Sequence, residues 1–135
     1  VDVAKAPAVF AAMHSAIARG LVRACHDLSE GGLVAAAAEM AFAGGFGAAI
    51  DVRSMAVDES ASVVAKLFSE SNTRFLCEVE PQQVAQFEKA LSGVTFAKLG
   101  QVAGDARLVV RDGDAGLIDA DVFELKEAWQ ATLRF

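Results

Sequence analysis

The feature that most constrains the fold is an Ala-rich apolar run, Leu33–Phe42, which directly follows a polar, glycine-bearing turn. Alanine has a high helix propensity, so the run predicts a helix, and Gly44 and Gly45 end it. Hydrophobic residues make up 54% of the chain, much of that alanine, which is typical of close-packed helices laid on a sheet. At 135 residues, the chain is predicted to form a single domain, residues 1–135, with its own core.

Periodicity along the rest of the chain predicts helices that alternate with strands. Apolar residues recur every three or four positions in a first helix that stops near Gly20, and helix-start signals also occur at Asp58–Ser60 and Pro81. The predicted order is helix, strand, helix, strand, helix, strand, helix, and then three strands and a last helix. The predicted strands are Leu21–Cys25, Gly47–Val52, Thr73–Glu80, Phe96–Val102, Arg107–Arg111 and Leu117–Ile118. This order predicts an α/β (α+β) fold with helices packed on a mixed β-sheet.

The acidic balance of the chain excludes two classes of partner. A net charge of −6 and a pI near 4.8 would repel nucleic acid and anionic lipid, so neither nucleic acid nor a membrane is an expected partner. No apolar run reaches the roughly 18 residues of a membrane span, and a cytoplasmic location is expected. Cys25 and Cys77 have neither zinc nor disulfide spacing, and we expect buried, reduced thiols. The chain opens with Val1 and without a signal peptide, so we expect a piece of a larger protein.

The turn His26–Gly32 is the first candidate ligand site. Its candidate residues are His26, Asp27, Ser29, Gly31 and Gly32. Glycines lack a Cβ, so backbone N–H groups at the start of the next helix can approach a phosphate, helped by the helix dipole. Ser29 can cap the helix or donate to the same anion, and Asp27 can bind a ligand hydroxyl or a metal ion. In the alternative interpretation, Ser29 and Glu30 only cap the helix, and the glycines allow close helix-to-sheet packing.

A second polar loop, Ser69–Arg74, lies between an apolar helix end and a strand. Its many hydrogen-bond donors and acceptors can bind a polar ligand with little conformational change. The candidate ligand-binding residues of this loop are Ser69, Glu70, Ser71 and Arg74. The alternative is a capped turn in which Arg74 pairs with Glu70 or Glu78 on the solvent face.

No complete catalytic constellation is visible in the sequence. The chain has no P-loop, no dinucleotide-binding fingerprint, no nucleophile elbow and no histidine pair at metal-binding spacing. His14 lies on the apolar stripe of the first helix and is predicted to be a hydrogen-bonded core residue. We therefore predict no catalytic residue and no metal ligand in this chain alone.

Three segments of the chain resemble one enzyme family. They are Gly20–Leu33 (GLVRACHDLSEGGL), Ala38–Gly45 (AEMAFAGG) and Leu67–Leu76 (LFSESNTRFL). The stretch Glu124–Trp129 (ELKEAW) also resembles the last helix of that family. Together they make the chain similar, over nearly its whole length, to the C-terminal domain of phosphoribosylformylglycinamidine synthases, within the aminoimidazole ribonucleotide synthetase-like superfamily.

The resemblance implies a ligase of purine biosynthesis that uses ATP and glutamine-derived ammonia to convert formylglycinamide ribonucleotide into formylglycinamidine ribonucleotide. It implies that the amide oxygen is activated by phosphoryl transfer, with magnesium neutralising the nucleotide phosphates. The parent enzyme of the family is doubled, and this chain is similar to the C-terminal domain of its second half. The implied partners are the other domains of the synthetase and a glutaminase component. Most ATP and magnesium ligands of the family lie in N-terminal domains, so this segment alone is expected to hold no cofactor and to be inactive.

Two alternatives stay open beside the family resemblance. The first-half loop of the family that grips substrate reads Glu-Ser-Gln-Glu-Arg, and this chain departs from it at Asn72 and Thr73. The chain is thus either the ligase domain or an equivalent domain of another superfamily member, such as aminoimidazole ribonucleotide synthetase, a hydrogenase-maturation protein or thiamine-monophosphate kinase. A domain used only for scaffolding is the other alternative.

Overall fold

The structure is a computed structural model, and it describes residues 3–57 and 60–131. The helices are α1 (Ala6–Ala18), α2 (Gly32–Gly44), α3 (Val63–Phe68), α4 (Val84–Ala90) and α5 (Val122–Ala131). The strands are β1 (Ala24–Asp27), β2 (Gly47–Asp51), β3 (Phe75–Glu78), β4 (Gly100–Ala103), β5 (Arg107–Asp112) and β6 (Ala115–Asp121). Short 3-10 turns lie at Val52–Ser54 and Pro81–Gln83. The predicted order of helices and strands is confirmed.

The strands divide into two sheets. The larger sheet has the order β4-β2-β5-β6, in which β2 and β5 are parallel and the other pairs are antiparallel. This mixed sheet with helices packed on it confirms the predicted α/β class. Strands β1 and β3 form a separate antiparallel pair, which periodicity did not predict because the period of a strand does not reveal its partner.

Several predicted element starts are wrong. Strand β1 begins at Ala24 instead of Leu21, β3 at Phe75 instead of Thr73, and β6 at Ala115 instead of Leu117. The strand expected from Phe96 begins only at Gly100. The helix start signals expected at Asp58–Ser60 do not begin α3, which is instead capped by Ser62, whose hydroxyl accepts the Ala65 N–H at 3.2 Å. Asp58 and Glu59 themselves lie outside the described residues.

Helix α2 is the element around which the core forms. It packs against α3, α5 and strands of both sheets, and its alanines let these neighbours approach closely. The core cluster consists of Leu28, Leu33, Ala36, Ala37, Ile50, Val52, Leu67, Leu108 and Val110. The packing fixes the start of α2 beside the end of α3 and the two-stranded sheet. Within the described ranges, no helix is both long enough and apolar enough to span a membrane.

Candidate ligand site at the start of helix α2

The predicted turn His26–Gly32 is shorter than expected, because His26 and Asp27 belong to β1. The pairing of His26 with Leu76 and of Asp27 with Phe75 on β3 keeps both residues extended. The prediction that this strand ends at Cys25 is therefore wrong. The chain turns only after Leu28, whose side chain is buried and whose N–H donates to the Arg74 carbonyl at 3.0 Å.

The two predicted loops meet at the first residue of the site. Gly31, the residue before α2, donates its backbone N–H to the Glu70 carboxylate at 2.9 Å, across 39 residues of sequence. An amide predicted to bind an external anion thus binds a carboxylate of the protein itself. Any phosphate at Gly31 would have to displace Glu70. The prediction that Ser29 caps α2 is wrong. The residue at the cap position is Gly31, and no side chain makes a capping hydrogen bond there.

Gly32 is required by packing. It is buried, its φ is +67°, and a Cβ built on it would lie 2.7 Å from the carbonyl carbon of Phe68 and 2.9 Å from the carbonyl oxygen of Leu67. The end of α3 therefore touches the start of α2 directly. This contact brings the loop Ser69–Arg74 beside the turn 28–31.

Arg74 holds the second loop in shape. Its Nη2 donates to both the carbonyl oxygen and the hydroxyl of Ser69, at 2.6 and 2.7 Å. Burial lowers the pKa of the guanidinium below its ordinary value. The pairing of Arg74 with Glu70 or Glu78, which the capped-turn alternative predicted, is not present: Glu70 accepts from Gly31, and Glu78 lies 3.5 Å from Arg23.

An open depression gathers part of the predicted set. Among the polar residues that line it are Asp27, Ser29, Ser71, Asn72, Thr73 and Arg74, and its apolar wall includes Phe10, Ile17 and Phe75. Phe10 and Ile17 belong to the apolar residues whose three- and four-residue spacing predicted α1, yet each is 51% exposed. Their contribution was missed because an apolar stripe does not show which of its members face the core; Phe10 instead contacts the Phe75 ring edge-on, with ring centroids 6.0 Å apart.

The remaining candidates support the depression from outside it. Ser69 accepts a hydrogen bond from Arg74, and Glu70 accepts one from Gly31. Gly32 packs against the end of α3. His26 is bonded to Glu39 of α2 instead of lining the depression with Asp27. In the part of the chain that the structure describes, no group of three or more His, Cys, Asp or Glu side chains is placed to hold a metal ion.

Thr73 carries backbone strain inside the loop. Its φ is +69°, a conformation that a β-branched residue rarely adopts. We expect Thr73→Asn to raise the free energy of unfolding by about 1 kcal/mol, because asparagine tolerates the left-handed region. Urea titration measures this change. Thr95→Asn is the control, since Thr95 is exposed and has no positive φ, and an equal gain there would contradict the assignment of strain to Thr73.

His26 lies between two acceptors. Its Nδ1 is 2.6 Å from the Asp27 carbonyl oxygen, and its Nε2 is 3.2 Å from a Glu39 carboxylate oxygen. Both ring nitrogens can donate only in the imidazolium form. The backbone hydrogen bond to Asp27, and then the hydrogen bond and charge of Glu39, raise the pKa of His26 above 6.5.

This raised pKa predicts a pH-dependent contribution to stability. A folded-state pKa above the unfolded value adds stability that is complete below pH 6.5 and is lost as pH rises through the raised folded value. His26→Gln should therefore lower the free energy of unfolding by a few tenths of a kcal/mol more at about pH 5.5 than at about pH 8.5. Urea titrations at the two pH values measure the difference. His14→Gln is the control, because His14, expected in the core, is exposed on α1; equal pH dependence in both variants would contradict the role of His26.

Two features define the class of protein domain to which this chain belongs. One is a mixed sheet packed on a buried Ala-rich helix, and the other is a pair of polar loops that meet at the start of that helix. The chain belongs to the family described as AIR synthase related protein, C-terminal domain, which matches residues 1–113. It is 35% identical, over 99% of its length, to the phosphoribosylformylglycinamidine synthase subunit PurL of Thermus thermophilus, and spans 18% of that protein.

Solved structures share the fold. The structure of Thermotoga maritima PurL complexed with FGAR superposes with a TM-score of 0.80 at 22% identity, covering 89% of this chain and 20% of that one. The complex of the same protein with ATP gives a TM-score of 0.79 at 21% identity, covering 87% and 21%. The chain thus corresponds to about a fifth of each relative.

Proposed function

We propose that this chain is the C-terminal domain of the second half of a phosphoribosylformylglycinamidine synthase. The parent enzyme would convert formylglycinamide ribonucleotide, ATP and glutamine-derived ammonia into formylglycinamidine ribonucleotide, ADP and phosphate. The observation that carries the proposal is the 35% identity to the Thermus thermophilus subunit across 99% of this chain. The structures of a relative with FGAR and with ATP support those two molecules as ligands of the parent.

The residues of this chain do not by themselves fit ATP and magnesium. The Gly31 N–H donates to Glu70, and the Arg74 guanidinium is bonded to Ser69. Asp27 at the end of β1 and Glu30 in the turn add negative charge. The described residues also contain no cluster of metal ligands. We therefore assign the nucleotide chemistry, and the contact with a glutaminase, to other domains of the parent, and we expect the isolated chain to hydrolyse no ATP.

The role left to this chain is to build one wall of a ligand site. The hydrogen bond between Gly31 and Glu70 joins the two loops, and Arg74 braces the second loop through Ser69. Ser29, Ser71 and Asn72 line the depression between the loops. Hydroxyl and amide groups of this kind position a polar ligand by hydrogen bonds without supplying a catalytic group.

A domain exchange tests the proposal. The segment of the Thermus thermophilus subunit that aligns with this chain is replaced by this chain. The hybrid is assayed for ADP release that depends on formylglycinamide ribonucleotide, with ammonia as nitrogen source. We expect the hybrid to turn over and the isolated chain to be inactive. A folded hybrid that binds ATP but forms no product would refute the assignment to this enzyme.

Within an active hybrid, Arg74→Lys should reduce turnover about tenfold, because an ammonium cannot reproduce the two directed bonds of Nη2 to Ser69. The matched control is Arg23→Lys. Arg23 directly precedes β1 of the two-stranded sheet, and its side chain is 60% exposed. Its contacts are weak ion pairs with Glu78 and Glu80, each at 3.5 Å. Turnover is measured together with the unfolding midpoint of each variant. Unchanged turnover in Arg74→Lys would leave the loop with a structural role alone.

A scaffolding domain is the second candidate function. The observation in its favour is that the Gly31 amide is already bonded to Glu70, so the start of α2 is closed by the protein itself. In that case, the hybrid should stay active when Ser71 and Asn72 are both replaced by alanine. A loss of substrate affinity in this double variant would favour the ligand-binding wall.

A further inference from the structure

Cys25 and Cys77 face each other across the two-stranded sheet. They are register partners on β1 and β3, and the Cys77 thiol donates a hydrogen bond to the Cys25 sulfur at 3.7 Å. The expectation of buried thiols is wrong, since Cys25 is exposed and Cys77 is half-buried. The two residues are 52 positions apart in the sequence, so their spacing could not predict that they are neighbours.

The ladder places the cysteines where cross-strand side chains come closest. Leu28 donates its N–H to the Arg74 carbonyl, so these two residues form a hydrogen-bonded pair of the antiparallel ladder. Hydrogen-bonded and non-hydrogen-bonded pairs alternate, and three steps along the ladder make Cys25 and Cys77 a non-hydrogen-bonded pair. Such pairs have Cα atoms about 4.5 Å apart, within the range that a disulfide spans.

We propose that Cys25 and Cys77 are a site of reversible intrachain disulfide formation, oxidised by low-molecular-weight disulfides of the glutathione type. The pair needs only rotation about the side-chain bonds to bring the two sulfurs into contact. Exposure of Cys25 admits the reagent, and Cys77 is placed directly behind it as the resolving thiol.

The reaction is two successive thiol–disulfide exchanges. The Cys25 thiolate attacks one sulfur of oxidised glutathione, which forms a mixed disulfide and releases one glutathione thiolate. Cys77 then loses its proton to solvent, attacks the Cys25 sulfur and releases the second glutathione. Two cysteine thiols are oxidised to one disulfide, and one glutathione disulfide is reduced to two thiols.

The electrostatics favour this order of attack. The hydrogen bond from Cys77, with a further contribution from His26 against the effect of burial, lowers the pKa of the Cys25 thiol to about 7. The hydrogen bond to Cys25, together with burial, raises the pKa of Cys77. The first exchange converts the Cys25 thiolate into a neutral disulfide, so that the main cause of the raised Cys77 pKa is removed before Cys77 must react.

The bond would join the two elements that position the candidate site. Strand β1 runs into the turn 28–31, and β3 directly follows the loop Ser69–Arg74. A cross-link between the strands would therefore hold the two loops in one relative position. In a reducing compartment such a bond is expected to be transient, as in redox-sensing proteins.

The test uses the purified, reduced chain and oxidised glutathione, followed by intact mass and peptide mapping. We expect the chain to lose two hydrogens, to yield a peptide linking Cys25 to Cys77, and to recover both thiols in dithiothreitol. Wild-type chain that instead retains glutathione, or that forms only disulfide-linked dimers, would overturn the proposal. This arm does not depend on any variant being folded.

Two variants test the roles of the thiols. Cys77→Ser should retain glutathione on Cys25, because the resolving thiol is gone. Cys25→Ser should take up glutathione at Cys77 at least about tenfold more slowly, because the Cys77 thiol is half-buried, whereas that of Cys25 is exposed. Equal rates in the two variants would overturn the assignment of Cys25 as the attacking thiol. Circular dichroism checks that each variant is folded, and Cys77→Ala and Cys25→Ala replace a variant that is not.

Discussion

Gly32→Ala should lower the free energy of unfolding by about 2–5 kcal/mol, one of the two largest effects expected in this domain. Two costs combine in this estimate. Alanine is strained at a φ of +67°, and its Cβ would overlap the backbone of Phe68 and Leu67 at the end of α3. Neither obstacle is the tip of a flexible side chain, so the two helices must separate for the methyl group to fit. Urea titration of the purified chain measures the loss.

Gly20→Ala is the matched control for this experiment. Gly20 has nearly the same φ, +68°, but its added Cβ would meet nothing within 4 Å. We expect that variant to lose only about 1–2 kcal/mol, from backbone strain alone. Equal losses at the two glycines would contradict the inference that α3 packs directly on the start of α2.

The same contact changes how phosphate binding must be tested. If the amides of Gly31 and Gly32 bind an anion, as the glycine-bearing turn predicts, Gly32→Asp should abolish that binding. A side chain at Gly32 would also disrupt the packing of α3, so lost binding in that variant would not identify the site. Glu70→Gln tests the anion site more directly than Gly32→Asp. It removes the negative charge that is bonded to the Gly31 N–H and keeps the shape of the loop.

Gly100→Ala should produce the second large effect, a loss of about 3 kcal/mol. Gly100 begins β4, and a Cβ on it would overlap the carbonyl oxygen of Ala49 on β2. A backbone atom of the neighbouring strand cannot move aside without breaking the pairing of the two strands. We expect the free energy of unfolding to fall and the amides of β4 to exchange faster with solvent, as measured by urea titration and hydrogen exchange.

Gly104→Ala serves as the control for Gly100. Gly104 directly follows β4, has no positive φ, and has no atom within 4 Å of the position of its added Cβ. Its replacement should change stability by less than about 1 kcal/mol. If Gly100→Ala were equally mild, β4 would not lie as close to β2 as the structure places it.

The order of the elements could be predicted because each element carries its own local signal. The Ala-rich run Leu33–Phe42 and the glycines after it predicted α2. Pro81 predicted the start of the next-to-last helix, and α4 begins three residues later, after a 3-10 turn. The end of β1 could not be predicted in this way. His26 and Asp27 are polar and precede a glycine-bearing turn, but pairing with β3 holds them in the strand.

The candidate residues show the same division. The sequence indicated two polar loops as candidate sites. Comparison with known proteins confirms the family that the residues of those loops resemble. The sequence could not show which side chain bonds to which backbone amide, because a backbone N–H can donate to any nearby carboxylate and carries no sequence preference of its own. Arg74 was expected to pair with an acid and instead bonds to Ser69, five residues earlier in the same loop.

The amino-acid order therefore decided the class of fold, the sequence of elements and the family, since these depend on periodicity and on runs of neighbouring residues. Tertiary structure decided that Gly31 bonds to Glu70 and that Cys25 faces Cys77, at separations of 39 and 52 residues. Contacts at such distances arise only when α2 packs on α3 and β1 pairs with β3, and these packing choices depend on the shape of the whole core.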